Sequence, residues 1–332
     1  MTQRPIRSGG HFGSRLGTLA MATLFGSLLL AGACLAAAPQ IKSQAPGYYR
    51  IMVGNFEVTA LFDGNIALNA DQLLLYTSKA HVNKVLAAHF LSSPVPTSVN
   101  GFLVNTGKEL VLVDTGAGKF FGPTLDKLVP NLKAAGYDPA QVDDILITHM
   151  HPDHVGGLVA DGQRVFPNAT VHAAKADADY WLNEGKMQAA PKDQQGFFKD
   201  AMAALTPYIK AGKFKTFTGK TRLMPGIEAI PAPGHTPGHT VYRVRSEGHT
   251  LLLWGDIVHV ASVQFPDPSI AIKYDTNPKQ AVKTRKKVFK EAARSAELIG
   301  GAHLAFPGLG HLRKAYRGYT FVPINYLGSV GD

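Results

Sequence analysis

The string His149-Met150-His151-Pro152-Asp153-His154 constrains this 332-residue chain more than any other feature of its sequence. It follows directly on DDILIT, an apolar, β-branched run that reads as a buried strand ending in a loop. A lone histidine is ordinarily a satisfied core or surface residue. Four imidazole and carboxylate groups within six residues are hard to explain as packing. Nitrogen and oxygen donors without a thiolate suit zinc and its first-row neighbours. The chain therefore needs a fold that stops a rigid strand at this loop and brings further ligands to it.

Three downstream elements offer those ligands: His235 in PGHTPGHT, Asp256 in LLLWGDIVH and His303 in GGAHLAFPGLGH. Each follows or ends a predicted strand, where loops from different strands converge. Strands are predicted over 109–116 (ELVLVDTG), within 143–154, over 240–244 and 250–254, and over 303–306 (HLAF). Helices are predicted over 122–136, 175–184, 197–211 and from Pro278 to Ile299. The first places Leu125, Leu128, Val129 and Leu132 on one face, with Pro130 kinking or tightening it and Gly136 capping it. The last carries an apolar stripe of Ala281, Val282, Val288, Phe289 and Ala292 behind a proline suited to its first turn. Strands alternating with helices imply α/β layers, and two similar halves imply one duplicated sandwich.

Hydrophobic residues make up 45% of the chain and charged residues 17%, enough apolar material for a sizeable core. The net charge of +10 does not by itself imply a nucleic-acid partner. The basic run Lys283, Arg285, Lys286 and Lys287 reads as the solvated face of a helix, and no aromatic–basic interleaving accompanies it. Residues 1–36 read as an export signal: Arg4, Arg7 and Arg15, then an apolar stretch to Ala33, then small residues. The alternative is a retained anchor. Cys34, in LLLAGAC, resembles a bacterial lipoprotein acylation site. It is the sole cysteine, so no internal disulfide framework is expected. Residues 37–48 form a lead-in and 49–328 the folded domain, expected in the periplasm or outside the cell.

The ordered set HxHxDH, then His, Asp and His, resembles the metallo-β-lactamase superfamily over essentially the whole mature chain. The resemblance implies a single-domain, four-layer αββα sandwich with the site at one edge of two sheets. It implies that His149, His151 and His235 hold one ion, that Asp153, His154 and His303 hold another, and that Asp256 bridges them. Zinc is the first expectation, with manganese, cobalt or iron as alternatives. Two ions hold a hydroxide near neutral pH and clamp the attacking and leaving oxygens about 3.5–4 Å apart. Asp153 is the candidate proton shuttle. Asp114, in LVDTG, is a candidate to orient a ligand histidine, or else a turn cap. His239 and His311 are expected in supporting roles, and His172 as a strand residue away from the site.

The stretches APGYYRIMVGNFEVTALFDG, ITHMHPDHVGGL, GHTPGHT and FPGLGH further resemble the methyl parathion hydrolase subfamily, which includes lactone and aryl-ester hydrolases. This implies a homodimer and an aromatic leaving-group pocket formed by Phe121, Trp181 and Phe198. His259, Ile272 and Tyr274 depart from the organophosphate specialists, and the loop PKDQQG (191–196) is a residue shorter. A ring nitrogen three residues after the bridging Asp can hydrogen-bond a lactone or ester oxygen. Lactones or aryl esters are therefore the expected substrates, with phosphotriesters as a side or alternative activity. An exported metal-binding protein without turnover is the reading from another class.

Overall fold

The computed structural model describes residues 38–330. The export signal and Cys34 lie outside the described residues. The fold is built by the compact unit Gln44–Asp332.

Two seven-stranded sheets follow one another along the chain. The first takes β1 (Tyr48–Val53), β2 (Phe56–Leu68), β3 (Val95–Asn105), β4 (Leu110–Val113), β5 (Asp144–Leu146), β6 (Thr170–Ala174) and β7 (Phe214–Phe217), in that spatial order. The first four strands run antiparallel to their neighbours, and β4 through β7 run parallel. The second sheet takes β8 (Thr221–Met224), β9 (Ile227–Pro231), β10 (Thr240–Ser246), β11 (His249–Leu253), β12 (Leu298–Gly300), β13 (Leu309–Lys314) and β14 (Tyr319–Pro323). Its single parallel step, β11 to β12, needs a helical crossover, as parallel neighbours do.

The period-2 pattern of β4 shows why the sheets stack. Val111 and Val113 enter the core between the sheets, beside Val58, Phe102, Tyr242, Val244, Leu251 and Leu253. Leu110 and Leu112 point the other way, into a core shared with Leu128, Leu132, Phe198 and Leu205. Those four lie on α2 (Leu128–Ala134) and α5 (Gln195–Lys210), α1 being the earlier helix Lys79–Ala88. On the outer face of the second sheet, Val241 and Leu252 meet Val288, Phe289 and Ala292 of α6 (Pro278–Ser295). The layers are thus helix, sheet, sheet, helix, the expected αββα sandwich. Each fully buried Val or Leu side chain stabilises it by about 1.5–3 kcal/mol relative to exposure.

Several element boundaries differ from expectation. Residues 122–127 are not helical: Gly122 and Asp126 take positive φ, and α2 begins at Leu128. Pro130 then falls in the first turn, where its missing N–H has no intrahelical acceptor to lose, so it does not kink the helix. The segment predicted as one helix at 175–184 divides into α3 (Lys175–Trp181) and α4 (Glu184–Ala189), the latter capped by the Asn183 side chain on Lys186 N–H. Helix α6 stops at Ser295, where Ala296 turns left-handed at φ 50°. The strand predicted at 303–306 is a loop, and the strand of that region is β12, at 298–300. His303 therefore sits on the loop after β12. In the basic run of α6, Lys283, Lys286 and Lys287 are exposed, but Arg285 is buried.

Candidate metal centre

Strand β5 ends at Leu146, and the next nine residues are buried. The loop is held from several sides. Tyr242 on β10 donates its hydroxyl to Ile147 O at 2.7 Å, and Met150 N–H donates to Asp177 Oδ2 at 3.0 Å. Pro152 then opens a single helical turn, Pro152–Val155, which presents Asp153 and His154 on one side. The HxHxDH spacing is thus converted into two directions by a strand end and one turn of helix.

Two ligand sets result. Atoms of His149, His151, His235 and Asp256 lie within 4.8 Å of one another, as do those of Asp153, His154, Asp256 and His303. Asp256 belongs to both. Its Oδ1 stands 3.1 Å from His154 Nε2, and its Oδ2 stands 3.2 Å from His235 Nε2 and 3.1 Å from His303 Nε2. Asp153 Oδ2 lies 3.3 Å from His303 Nε2 and 3.5 Å from His154 Nε2. The Nε2 atoms of His149, His151 and His154 and Oδ1 of Asp256 are buried without a hydrogen-bond partner among the described residues. Buried polar atoms left unpaired are costly. A divalent cation in each set satisfies them, so the residues fit two metal ions, and the all-nitrogen-and-oxygen donor set fits zinc.

The electrostatics agree. Burial pushes the Asp256 carboxyl up, but His303, His154 and His149 outweigh it and hold the group well below the ordinary range. Burial drives His149 and His151 well below the usual imidazole range, so both rings are neutral donors. For His235 and His303 burial also opposes charge, yet contact with Asp256 and, respectively, Asp275 and Asp153 lifts them to about 9 and about 10. Without metal, protons occupy the place of cations on these rings.

The far side of three ligand histidines is also engaged. His154 Nδ1 donates to Asp114 Oδ2 at 2.8 Å, and Thr148 gives Asp114 both its N–H and its hydroxyl. His235 Nδ1 donates to Asp275 Oδ1 at 2.8 Å, and His303 Nδ1 to Ser98 O at 2.9 Å. His239 receives the Asp256 N–H on Nε2 at 3.0 Å and donates from Nδ1 to Ala232 O. Such partners fix the tautomer and orientation of ligands. Asp177 ties two loops together, accepting from Met150 N–H, Thr236 Oγ1 and Gly238 N–H, and burial raises its carboxyl to about 6. His172 pairs with Asp144 at 2.7 Å, away from the site, and His311 is exposed.

A cavity of about 560 Å³ opens onto the ligands His151, Asp153, Asp256 and His303. Of the residues expected in a substrate pocket, Phe121, His259 and Tyr274 line it, with Ile66, Leu68 and Leu125 adding apolar surface. Trp181 is 3% exposed and stands edge-on to His151, ring centroids 5.1 Å apart, behind the wall. Phe198 packs against Trp181 at 4.6 Å in the core under α5 and does not line the cavity. Its neighbour Phe197 does, 5.2 Å from His151 and 6.3 Å from Tyr274. One residue along a helix turns the side chain by about 100°, which exchanges wall for core. Ile272 is fully buried with Leu68 and Leu74, its N–H on Asp275 Oδ2. Asp275, Asp177 and Phe197 were not singled out from the sequence. Nothing in local spacing marks Asp275, because His235 lies 40 residues away.

A two-sheet sandwich whose strand-end loops gather two His/Asp sets around one shared carboxylate, beside an apolar cavity, defines a protein with a candidate dinuclear metal centre open to a ligand. The sequence model of the metallo-β-lactamase superfamily matches residues 94–303. The crystal structure of "hydrolase AbOPH in beta lactamase superfamily" is 39% identical, with TM-score 0.82, covering 86% of this chain and all of that one. AidC, a dizinc quorum-quenching lactonase solved with a homoserine product, is 28% identical with TM-score 0.79, covering 85% of this chain and 99% of that one. An N-acyl homoserine lactonase of Bacillus thuringiensis is 25% identical over 214 residues, 56% of this chain and 77% of that protein. Against a lactonase from a Bacillus sp., 26% identical over 165 residues (44% of this chain), the match spans 58% of the relative's length. The chain belongs to the metallo-β-lactamase superfamily.

Proposed function

We propose that this protein hydrolyses carboxylic esters of apolar, aromatic character, with lactones and aryl esters as its better substrates. His259 carries the reading. The ring is 4% exposed in the cavity wall, and neither nitrogen makes a hydrogen bond among the described residues, although Nε2 lies 3.0 Å from Asp256 Oδ2. A polar group left open beside the reacting centre is matched by a substrate oxygen. The lactonase relatives support the same class.

Bound in the two sets, divalent ions supply Lewis acidity, which acidifies water and polarises the bond under attack. The chain's own groups do the rest. Asp153 is 8% exposed at the cavity floor, where its carboxylate can take the nucleophile's proton and return it to the leaving alkoxide. Tyr274 and His259 face the cavity with groups able to donate to the substrate's carbonyl oxygen. Phe121 and Phe197 give the apolar leaving group its contact surface.

Phosphotriester cleavage, as in the methyl parathion hydrolase subfamily, is the second reading, favoured by the same aromatic wall. A side-by-side kcat/KM comparison on dihydrocoumarin, phenyl acetate and methyl parathion separates the two. The lactone or phenyl ester should lead, and a lead for methyl parathion installs the second reading. Inertness on all three by protein carrying two metals per chain leaves a metal-binding protein without turnover. Export, acylation at Cys34 and homodimerisation belong to the same proposal, and cell fractionation, mass spectrometry and light scattering test them.

A further inference from the structure

We infer that Arg285, on helix α6, is a positioning residue for the metal centre: its guanidinium locks together the two loops that deliver Asp256 and Asp275. The inference rests on the dinuclear reading of the site.

Arg285 is 1% exposed, in a run whose three lysines face solvent. Burying a charge is expensive, and an apolar side chain of similar length fills such a space without that cost. Its presence is explained by what it holds. Nε donates to Ile257 O at 2.6 Å, and Nη1 donates to Ile270 O at 2.6 Å and, at longer range, to Pro268 O at 3.5 Å. Ile257 directly follows Asp256, and Ile270 directly precedes the segment that carries Ile272, Tyr274 and Asp275. One planar fork thus spans two loops that are otherwise separate in the chain.

Gln264 completes the brace. Its Oε1 accepts the N–H groups of His259 at 2.8 Å and Val260 at 3.0 Å, and its Nε2 donates to the same Ile270 O at 3.1 Å. The first loop then presents Asp256 and His259. The second presents Tyr274 and holds His235 through Asp275 at 2.8 Å. A lysine keeps the charge but offers no fixed fork across two carbonyls. Sites of this kind tolerate ligand displacements of only about 0.5 Å. Loosening the brace therefore moves a shared ligand and a histidine's anchor together.

The test uses Arg285→Met and Arg285→Lys, with exposed Lys286→Met as control. Zinc affinity is read by chelator competition, site geometry by the d–d absorption bands of the cobalt-substituted protein, and turnover as separate kcat and KM. Both Arg285 variants should bind the weaker zinc at least tenfold less tightly, shift the cobalt bands, and lose kcat more than KM. Guanidinium ion added to Arg285→Ala should recover part of the lost affinity. If Arg285→Met does not fold, Arg285→Lys decides. A folded variant with wild-type zinc affinity and cobalt spectrum overturns the inference, even if its Tm is lower. Should wild-type protein bind two ions yet cleave no ester, the proposed function fails, while the zinc and cobalt readings still decide the role of Arg285.

Discussion

Asp114 accepts the Nδ1–H of His154 at 2.8 Å, so only Nε2 of that ring faces Asp256, 3.1 Å away. Asp114 reaches it from a left-handed backbone, φ 58°, at the end of β4, a conformation that Asp and Asn adopt more readily than other side chains. Asp114→Asn therefore keeps the backbone and removes the charged acceptor. Metal affinity should fall roughly 10–100-fold, the usual cost of losing such a partner. Unchanged zinc affinity in chelator competition would show that Asp114 serves only the turn.

Asp256 is the one ligand shared by both sets. In Asp256→Ala the surrounding histidines lose their common carboxylate, and elemental analysis should find fewer than two metals per chain. Turnover of phenyl acetate should disappear with them. Full activity in a metal-free variant would refute the dinuclear assignment outright.

Metal and protons compete for the same atoms. His235 and His303 bind protons in the folded, metal-free chain up to about pH 9 and 10, well above the ordinary imidazole value of 6.5. Between those limits the folded state holds more protons than the unfolded one. Their stabilising contribution is thus complete below about pH 6.5 and is lost as pH rises through 9 to 10. The Tm of metal-free protein should fall across pH 7–10, and zinc loading at pH 7 should release protons to the buffer. A flat Tm and no proton release would mean that these rings are neutral before the metal arrives.

His259→Leu tests substrate preference. Its loss removes the open ring nitrogen from the cavity wall and adds apolar surface. The kcat/KM ratio of dihydrocoumarin to methyl parathion should drop about tenfold or more, the scale of one hydrogen bond to a reacting oxygen. An unmoved ranking removes the reason for preferring lactones.

Much of this was legible in the chain, and the divide follows the range of the interaction concerned. His149, His151, Asp153 and His154 were readable because their spacing is local and β5 is apolar enough to declare itself. Asp256 was readable because it ends the strand 250–254, whereas His235 and His303 stood out only as histidines in Gly-rich turns, since the strands they follow, β9 and β12, lie outside the predicted ones. Phe198 for Phe197 was an error of one step on α5: both residues are apolar, and sequence does not say which face of an aromatic pair meets the site.

The sequence by itself determined the donor types, the strands that end at His149 and Asp256 and the layered α/β order, because periodicity and spacing act within a few residues. Only the tertiary structure decided that Asp275 anchors His235, and that Arg285 is buried while its neighbouring lysines are not. Those outcomes depend on which loops meet when two sheets stack. Local pattern cannot contain that information, because the burial of a charge is set by partners tens of residues away.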